Sequence, residues 1–362
     1  MTASLRLALP EDEPGLLALA RSCAMAGAVT IRTEREPRFL ALSELQGAPT
    51  HVVVAEEHGR IVACAAAAIR EVYVSGRPTR AAYLGDLRIA PDARGGTLLW
   101  RIHRVVAELL RGSGVDLAYT TIIDGNTAAA ALRGARRGLP LYRPLGRIRV
   151  CAISDARRRP GDVRVRVDRA DAADLPQIAS ALDAFTSRHE FAPVWTTERL
   201  QAAVSSTPGL TIDRFFVARE GGAVVGVLAA WDQEAIQRRR LLRYGRRAAA
   251  YRAILALRAR ARHRPALPSP GELVRELHVT HVGIGDDRPD VFEALLHAAW
   301  DTFADRYHFL TFGLGEDHPL LRALRSFDHG AFHTVLHAVA WDDGPWADHA
   351  FRGRLFHEIS HL

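Results

Sequence analysis

The run Leu84-Gly85-Asp86-Leu87-Arg88-Ile89-Ala90-Pro91-Asp92-Ala93-Arg94-Gly95-Gly96-Thr97-Leu98-Leu99 reads as a strand, a glycine turn and the start of a helix. Such a turn leaves backbone N–H groups pointing outward at a helix N-terminus, where the helix dipole favours negative charge. Arg94 adds a fork of charged donors suited to phosphate. Gly95 and Gly96 let a ligand approach the backbone closely. The segment is therefore a candidate pyrophosphate site. A strand–glycine–helix unit is a weak signal alone, because many such turns bind nothing.

The rest of the chain sets the context. Its 362 residues have ample apolar content for two cores. No stretch approaches the about 18 consecutive apolar residues of a membrane span, and Met1 to Pro10 lacks the regions of a signal peptide. Three scattered cysteines, Cys23, Cys64 and Cys151, fit small core residues in a reducing compartment, so a cytoplasmic location is expected. All 48 basic side chains are arginine, and the net charge of +7 favours an anionic partner. Asn126 is the sole asparagine. It follows the apolar run Leu117 to Ile123 and opens the alanine-rich stretch Thr127 to Leu132, a position that also suits a helix N-cap.

An internal repeat is visible. Val54 to Ala63 reads as strand, tight turn, strand, and Val217 to Gly226 reads the same way 163 residues later. Helix patterns precede each, Glu13 to Ala24 and Ala172 to Phe185. Short apolar strands follow, Tyr83 to Ile89 and Leu273 to Val279, then Leu117 to Ile123 and Phe309 to Leu314. Leu87 and Leu277 stand 190 apart, Asn126 and Asp317 191 apart. In the second copy Val282-Gly283-Ile284-Gly285-Asp286-Asp287-Arg288-Pro289 replaces the glycine turn, and two aspartates would repel a pyrophosphate.

The first repeat resembles the GNAT acyltransferase superfamily, and the matches run in order. They are Arg6, Ala8 and Asp12 at the opening; the strand–turn–strand at Val52 to Ala66; Pro91-Asp92-Ala93-Arg94-Gly95-Gly96, similar to the family's pyrophosphate loop; and Asn126 with Ala129 and Leu132 at the closing motif. The resemblance implies an α/β (α+β) fold of two GNAT-like domains, each a mixed, mostly antiparallel sheet flanked by helices. The expected division is 1–154 for the acyl-CoA-binding copy, 155–162 for a linker, 163–345 for a degenerate copy with an Arg-rich helical insertion at about 233–270, and 346–362 for a C-terminal tail.

The resemblance also implies acetyl-CoA or another acyl-CoA as co-substrate and transfer of an acyl group, most simply acetyl, to an amine by direct attack. The implied acyl-CoA contacts are Leu87, Arg88, Ile89, Arg94, Gly95, Gly96, Thr97, Leu98, Leu99, Asn126 and Arg133. The family's loop usually has glycines where Thr97 and Leu99 stand, and often a tyrosine where Arg133 stands. The attacking amine must be neutral, so a base takes its proton. Asp86 is the first choice as base, Glu71 and Tyr83 are alternates, and Tyr142 is a candidate acid. An Arg88 partner would lower the Asp86 pKa and weaken it as a base.

Other features point elsewhere. Gln237 to Arg264 reads as a basic amphipathic helix, with Leu241, Tyr244, Ala248, Tyr251, Leu255 and Ala259 on one face. It suggests docking of an acidic acyl carrier protein as an alternative acceptor. Nucleic acid is disfavoured because no helix-turn-helix or stacking motif accompanies the charge. The acceptor is otherwise a small molecule, oligomerisation stays open, and an inactive binding protein is a further alternative. His357-Glu358-Ile359-Ser360-His361 contains H-E-x-x-H, a zinc-protease pattern, but with sixteen histidines in the chain chance explains it and no metal is expected. His278, His281, His333 and His337 lie in apparent strands, where buried, hydrogen-bonded histidines are the common outcome.

Overall fold

The computed structural model describes residues 3–23, 29–126, 140–157, 165–245, 249, 252, 256, 259, 261–262, 264–341 and 344–361. In the first half of the chain the elements are β1 (Ser4–Leu7), α1 (Glu13–Ser22), β2 (Val29–Glu34), α2 (Leu40–Gln46), β3 (Thr50–Glu57), β4 (Arg60–Val74), β5 (Arg77–Ile89), α3 (Leu98–Gly112), β6 (Leu117–Ile123) and β7 (Leu141–Ala156). The second half has β8 (Arg166–Arg169), α4 (Leu175–Thr186), β9 (His189–Glu190), α5 (Thr197–Ser206), β10 (Phe215–Glu220), β11 (Ala223–Trp231) and β12 (Arg238–Tyr244). It continues with β13 (Leu273–Val274), β14 (Glu276–Ile284), α6 (Pro289–Phe303), β15 (Phe309–Gly315), β16 (Phe327–Ala340) and β17 (Arg354–Leu355).

Local chemistry explains most of these. In α3 the buried positions Leu98, Ile102, His103, Val106, Ala107 and Leu110 recur at helical spacing, so one face seals the sheet. The hairpin turns His58-Gly59 and Gly221-Gly222 hold both central residues at positive φ, the geometry that matches strand twist. Ile61 to Ile69 of β4 is buried throughout, as befits a central strand covered on both faces.

Twelve strands form one continuous sheet in the order β1-β3-β4-β5-β6-β16-β7-β15-β14-β11-β10-β8. The two expected sheets are thus joined edge to edge, and the joint is crossed: β16, from the end of the chain, lies between β6 and β7, while β7 pairs with β15. Asp155 and Ala156, expected in a linker, belong to β7 and pair with Asp328 and Phe327; 158–164 lie outside the described residues. Two pairings in this sheet are parallel, β5 with β6 and β14 with β15.

The Arg-rich insertion departs from expectation. Arg238–Tyr244 is strand β12, which joins β13 and β2 in a small second sheet. Partners from both halves override helix propensity there. Arg240 binds Glu34 through Nε and Nη2 at 2.7 and 3.0 Å, and Arg239 pairs with Glu276. Further on, Ala249, Arg252, Ala256, Ala259 and Ala261 are helical, while Ala248, Tyr251 and Leu255 lie outside the described residues. The expected C-terminal tail is also revised: Phe356 to Ser360 are all buried, because β17 pairs with β9 and draws the segment beneath the sheet.

Candidate active site

The parallel pairing of β5 and β6 is short. It joins Ala82 to Ala118 and Tyr83 to Tyr119, and the strands then part. Thr120 Oγ1 donates to the Leu84 carbonyl at 2.7 Å, the last link before the opening. At the mouth β5 carries a bulge, with Asp86 and Leu87 set against Ala65 and Asp86 at φ 52°. Leu87 is exposed; Arg88 and Ile89 are half-buried.

Beyond the opening lies the glycine turn. Gly95 sits at φ 88°, which glycine adopts at no steric cost, and a Cβ added at Gly95 or Gly96 would meet nothing within 4 Å. Thr97 precedes α3, whose first turn holds no acidic side chain. Arg94 Nε donates to the Ile89 carbonyl at 3.1 Å, which keeps this exposed side chain beside the turn. Leu98 points into the core and Leu99 is half-buried against it, so the bulk at the missing glycine positions is directed largely away from the turn. Asn126 is exposed, and its N–H donates to the Ile123 carbonyl at 3.0 Å. Arg133 lies outside the described residues.

The four acid–base candidates do not converge. Asp86 is a structural anion instead of a base. Arg35 grips it with Nη1 at 3.0 Å and Nη2 at 2.8 Å, and Ser43 Oγ donates at 2.9 Å. Burial alone would raise the Asp86 pKa, but Arg35 and then Arg88 outweigh it and hold the carboxyl below its usual range. Arg35 Nε also reaches Gln237 Oε1 at 2.8 Å, so the pair ties the two halves together. Glu71 lies in a surface ion pair with Arg199 at 2.8 Å. Tyr142 packs under α3 on the opposite face of the sheet from Tyr83. His103 Nδ1 donates to the Leu99 carbonyl, so its Nε2 accepts the Tyr142 hydroxyl at 2.7 Å. Tyr83 alone stands at the apex of the opening, and burial pushes its phenol up to about 12.

The second half repeats this geometry with a different outcome. The β14–β15 pairing covers Glu276 to His278 and then stops. His281 at φ 51° and Val282 form a bulge against Leu228, which aligns His281, and not a residue 190 positions on, with Asp86. Here the opening is filled by the chain itself. Glu358 Oε1 accepts the His281 N–H at 2.9 Å, and a Cβ added to Gly313 of β15 would lie 2.4 Å from Ile359 Cγ2. Asp286 and Asp287 occupy the turn, where Asp287 pairs with Arg188 and Arg354. Among the described residues no group of three or more His, Cys, Asp or Glu is placed to hold a metal. His357 and Glu358 precede a single 3-10 turn, so no long helix presents the H-E-x-x-H residues on one face.

His318, and not Asp317, matches Asn126, since its N–H donates to the Gly315 carbonyl in the same turn. His318 Nδ1 accepts the Leu320 N–H at 3.2 Å, and His189 Nδ1 donates to the Phe185 carbonyl at 2.8 Å. The 3.0 Å contact between their Nε2 atoms is therefore His318 N–H to His189 N. An added proton has no place in this chain, and burial, then His189, depresses the His318 pKa from 6.5 to about 4. The unfolded state binds that proton first. Stability is thus full above the unfolded value and falls between 6.5 and about 4, by about 3 kcal/mol for this residue. Urea midpoints measured from pH 7 to pH 4 should fall, and His318→Asn should flatten the decline; an equal slope in the variant would assign it elsewhere.

Sequence reasoning missed Arg35, Ser43 and Gln46 at this site and set aside His357 and Glu358. The only local sign was an H-E pair flanked by Phe356 and Ile359, apolar residues that ask for burial.

Residues 19–138 match the acetyltransferase (GNAT) family. Solved structures with similar folds include a GCN5-related N-acetyltransferase from Sphaerobacter thermophilus, 15% identical, covering 93% of this chain and 95% of that one, with TM-score 0.54. A probable N-acyltransferase from Enterococcus faecalis V583 is 11% identical over 93% of this chain and 72% of that one, with TM-score 0.52. Saccharomyces cerevisiae N-myristoyltransferase, solved with bound myristoyl-CoA, is 11% identical over 95% of this chain and 80% of that one, with TM-score 0.61. At these identities the likeness concerns the fold. Comparison of the sequence with curated proteins gives no match. With a family match over 19–138 and this fold around it, the chain carries a GNAT acetyltransferase domain at residues 19–138 within a fold similar to that of GNAT N-acetyltransferases.

Proposed function

We propose that this protein is an acyl-CoA-dependent N-acyltransferase that uses the β5–β6 opening as its single acyl-CoA site. The carrying observation is the contrast between two equivalent openings. One has a glycine turn and an acid-free helix N-terminus at its mouth; the other is filled by Glu358 and Ile359. In this reading the amides following Gly95 and the Arg94 guanidinium receive the pyrophosphate, and Asn126 contacts the pantetheine arm.

The amine nitrogen attacks the thioester carbon, the C–S bond breaks, and the amine loses a proton. The bulge of β5 offers backbone N–H groups to the carbonyl oxygen as it gains charge. Tyr83, with its raised pKa, stays protonated at neutral pH and so donates instead of acting as base. Tyr83 Cε1 and Gln46 Oε1 would lie 3.0 and 3.6 Å from a Cβ at Gly85, crowding that face of β5. The crowding favours a short acyl group such as acetyl. A small amine acceptor is favoured over a carrier protein, because Arg239 and Arg240 of β12 are already paired with Glu276 and Glu34.

Calorimetry tests this. Acetyl-CoA should bind more tightly than long acyl-CoAs, and Asn126→Ala should weaken it roughly tenfold, the effect of losing about one hydrogen bond. Failure of every CoA ester to bind would sink the enzyme reading. Binding without turnover in a free-thiol assay would leave a binding protein.

A further inference from the structure

The C-terminal segment does more than fill the second opening. From Phe356 to Ser360 it passes beneath both openings, fixed by Phe356 N–H to the Glu190 carbonyl at 3.3 Å and by Gln233 Nε2 to the Ser360 carbonyl at 2.5 Å. Between these anchors His357 stacks on Tyr83, with ring centroids 5.0 Å apart and planes at 29°. Tyr83 is the last residue of β5 paired with β6, so the imidazole lies at the apex of the first opening, on the face away from α3. His357 is 1% exposed and Glu358 7% exposed. A phenyl ring would fill the same stack on Tyr83, so packing alone does not ask for an imidazole at this place. The groups facing His357 include the Tyr83 phenol on β5, the Tyr119 ring on β6 and its neighbour Glu358; Arg70 of β4 binds the Tyr119 hydroxyl at 2.6 Å, and His281 of β14 holds Glu358.

We infer that His357 is the proton acceptor for the amine that attacks at the β5–β6 opening, an inference that rests on the acyl-transfer reading above. As the nitrogen bonds to the acyl carbon, its proton passes to the His357 imidazole. The C–S bond breaks, and the departing thiolate takes the proton back, leaving an amide and a free thiol with His357 neutral again. Glu358, held on the His281 amide at 2.9 Å, anchors the backbone next to His357.

The test uses the full chain with acetyl-CoA and a panel of primary amines, read by thiol release between pH 5.5 and 9, with acetyl-CoA affinity measured in parallel. The wild type should lose activity on the acid side as His357 takes up a proton. His357→Gln should bind acetyl-CoA within twofold of wild type, lose about 100-fold in kcat and lose the acid limb, and added imidazole should restore part of the rate to His357→Ala. Wild-type kcat with the acid limb intact in His357→Gln would overturn the inference. If the variants do not fold, histidine ring resonances of the wild type decide: His357 should titrate over the acid limb with acetyl-CoA bound, and a ring that stays neutral across it refutes the role. Wild type that binds no acetyl-CoA would instead refute the acyl-transfer reading, and this inference with it.

Discussion

Arg35→Met should lower the unfolding free energy by about 3–5 kcal/mol, the usual cost of leaving a buried charge without its partner. Asp86 would keep only Ser43 at 2.9 Å and Arg88 at 3.4 Å in place of a two-pronged guanidinium. The loss should shrink on acidification. In the wild type the depressed Asp86 pKa contributes stability that is fully present above the ordinary carboxylate value and is lost as pH falls from there through the lower folded value; in the variant Asp86 protonates more readily and the penalty is relieved. Adding Asp86→Leu should recover much of the stability, because an apolar pair of similar volume often replaces a buried ion pair without loss. Urea unfolding of the two single variants and the double variant measures the coupling directly. A loss below about 1 kcal/mol for Arg35→Met would mean that water or Arg88 can satisfy Asp86.

Gly96→Glu should abolish measurable acetyl-CoA binding, weakening it by at least about 100-fold, while the melting temperature holds or rises. The two effects separate because of what surrounds Gly96. Its added Cβ meets no atom within 4 Å and its φ is not in the left-handed region, so the fold tolerates the side chain. A carboxylate before the first turn of α3 complements the helix dipole, yet it puts negative charge where the pyrophosphate is proposed to sit. Affinity within threefold of wild type would remove the glycine turn from the acyl-CoA site.

Local signals in the sequence were sound wherever the deciding partners were nearby. The apolar run Leu117 to Ile123 is strand β6 with those bounds, and the glycine turns at Gly59 and Gly221 are hairpins. The segment Leu84 to Leu99 is a strand, a turn and a helix. Features set by distant partners were not legible. Arg238–Tyr244 carries a helical pattern, but β2 and Glu34 make it a strand. Asp86 looks like a base until Arg35, whose spatial neighbourhood no spacing reveals, neutralises it. The bulges at Asp86 and His281 set the true alignment of the halves, and a bulge leaves little trace in residue type. The H-E-x-x-H pattern read as chance in a chain with sixteen histidines, whereas the position of His357 comes from β17 pairing with β9.

The crossed joint of the large sheet constrains how the molecule is made. Thr121 of β6 takes Leu336 as its neighbour, and β7 lies between two strands from the second half. A ribosome that has released only the first half has therefore delivered β6 without its outer partner and β7 without either neighbour, an arrangement that exposes unpaired strand edges. The opening proposed to take acyl-CoA has one wall on β6, and that wall is braced only after β16 emerges. A nascent chain should thus acquire ligand affinity late and all at once, and synthesis halted before β16 should yield a species that aggregates instead of a working half.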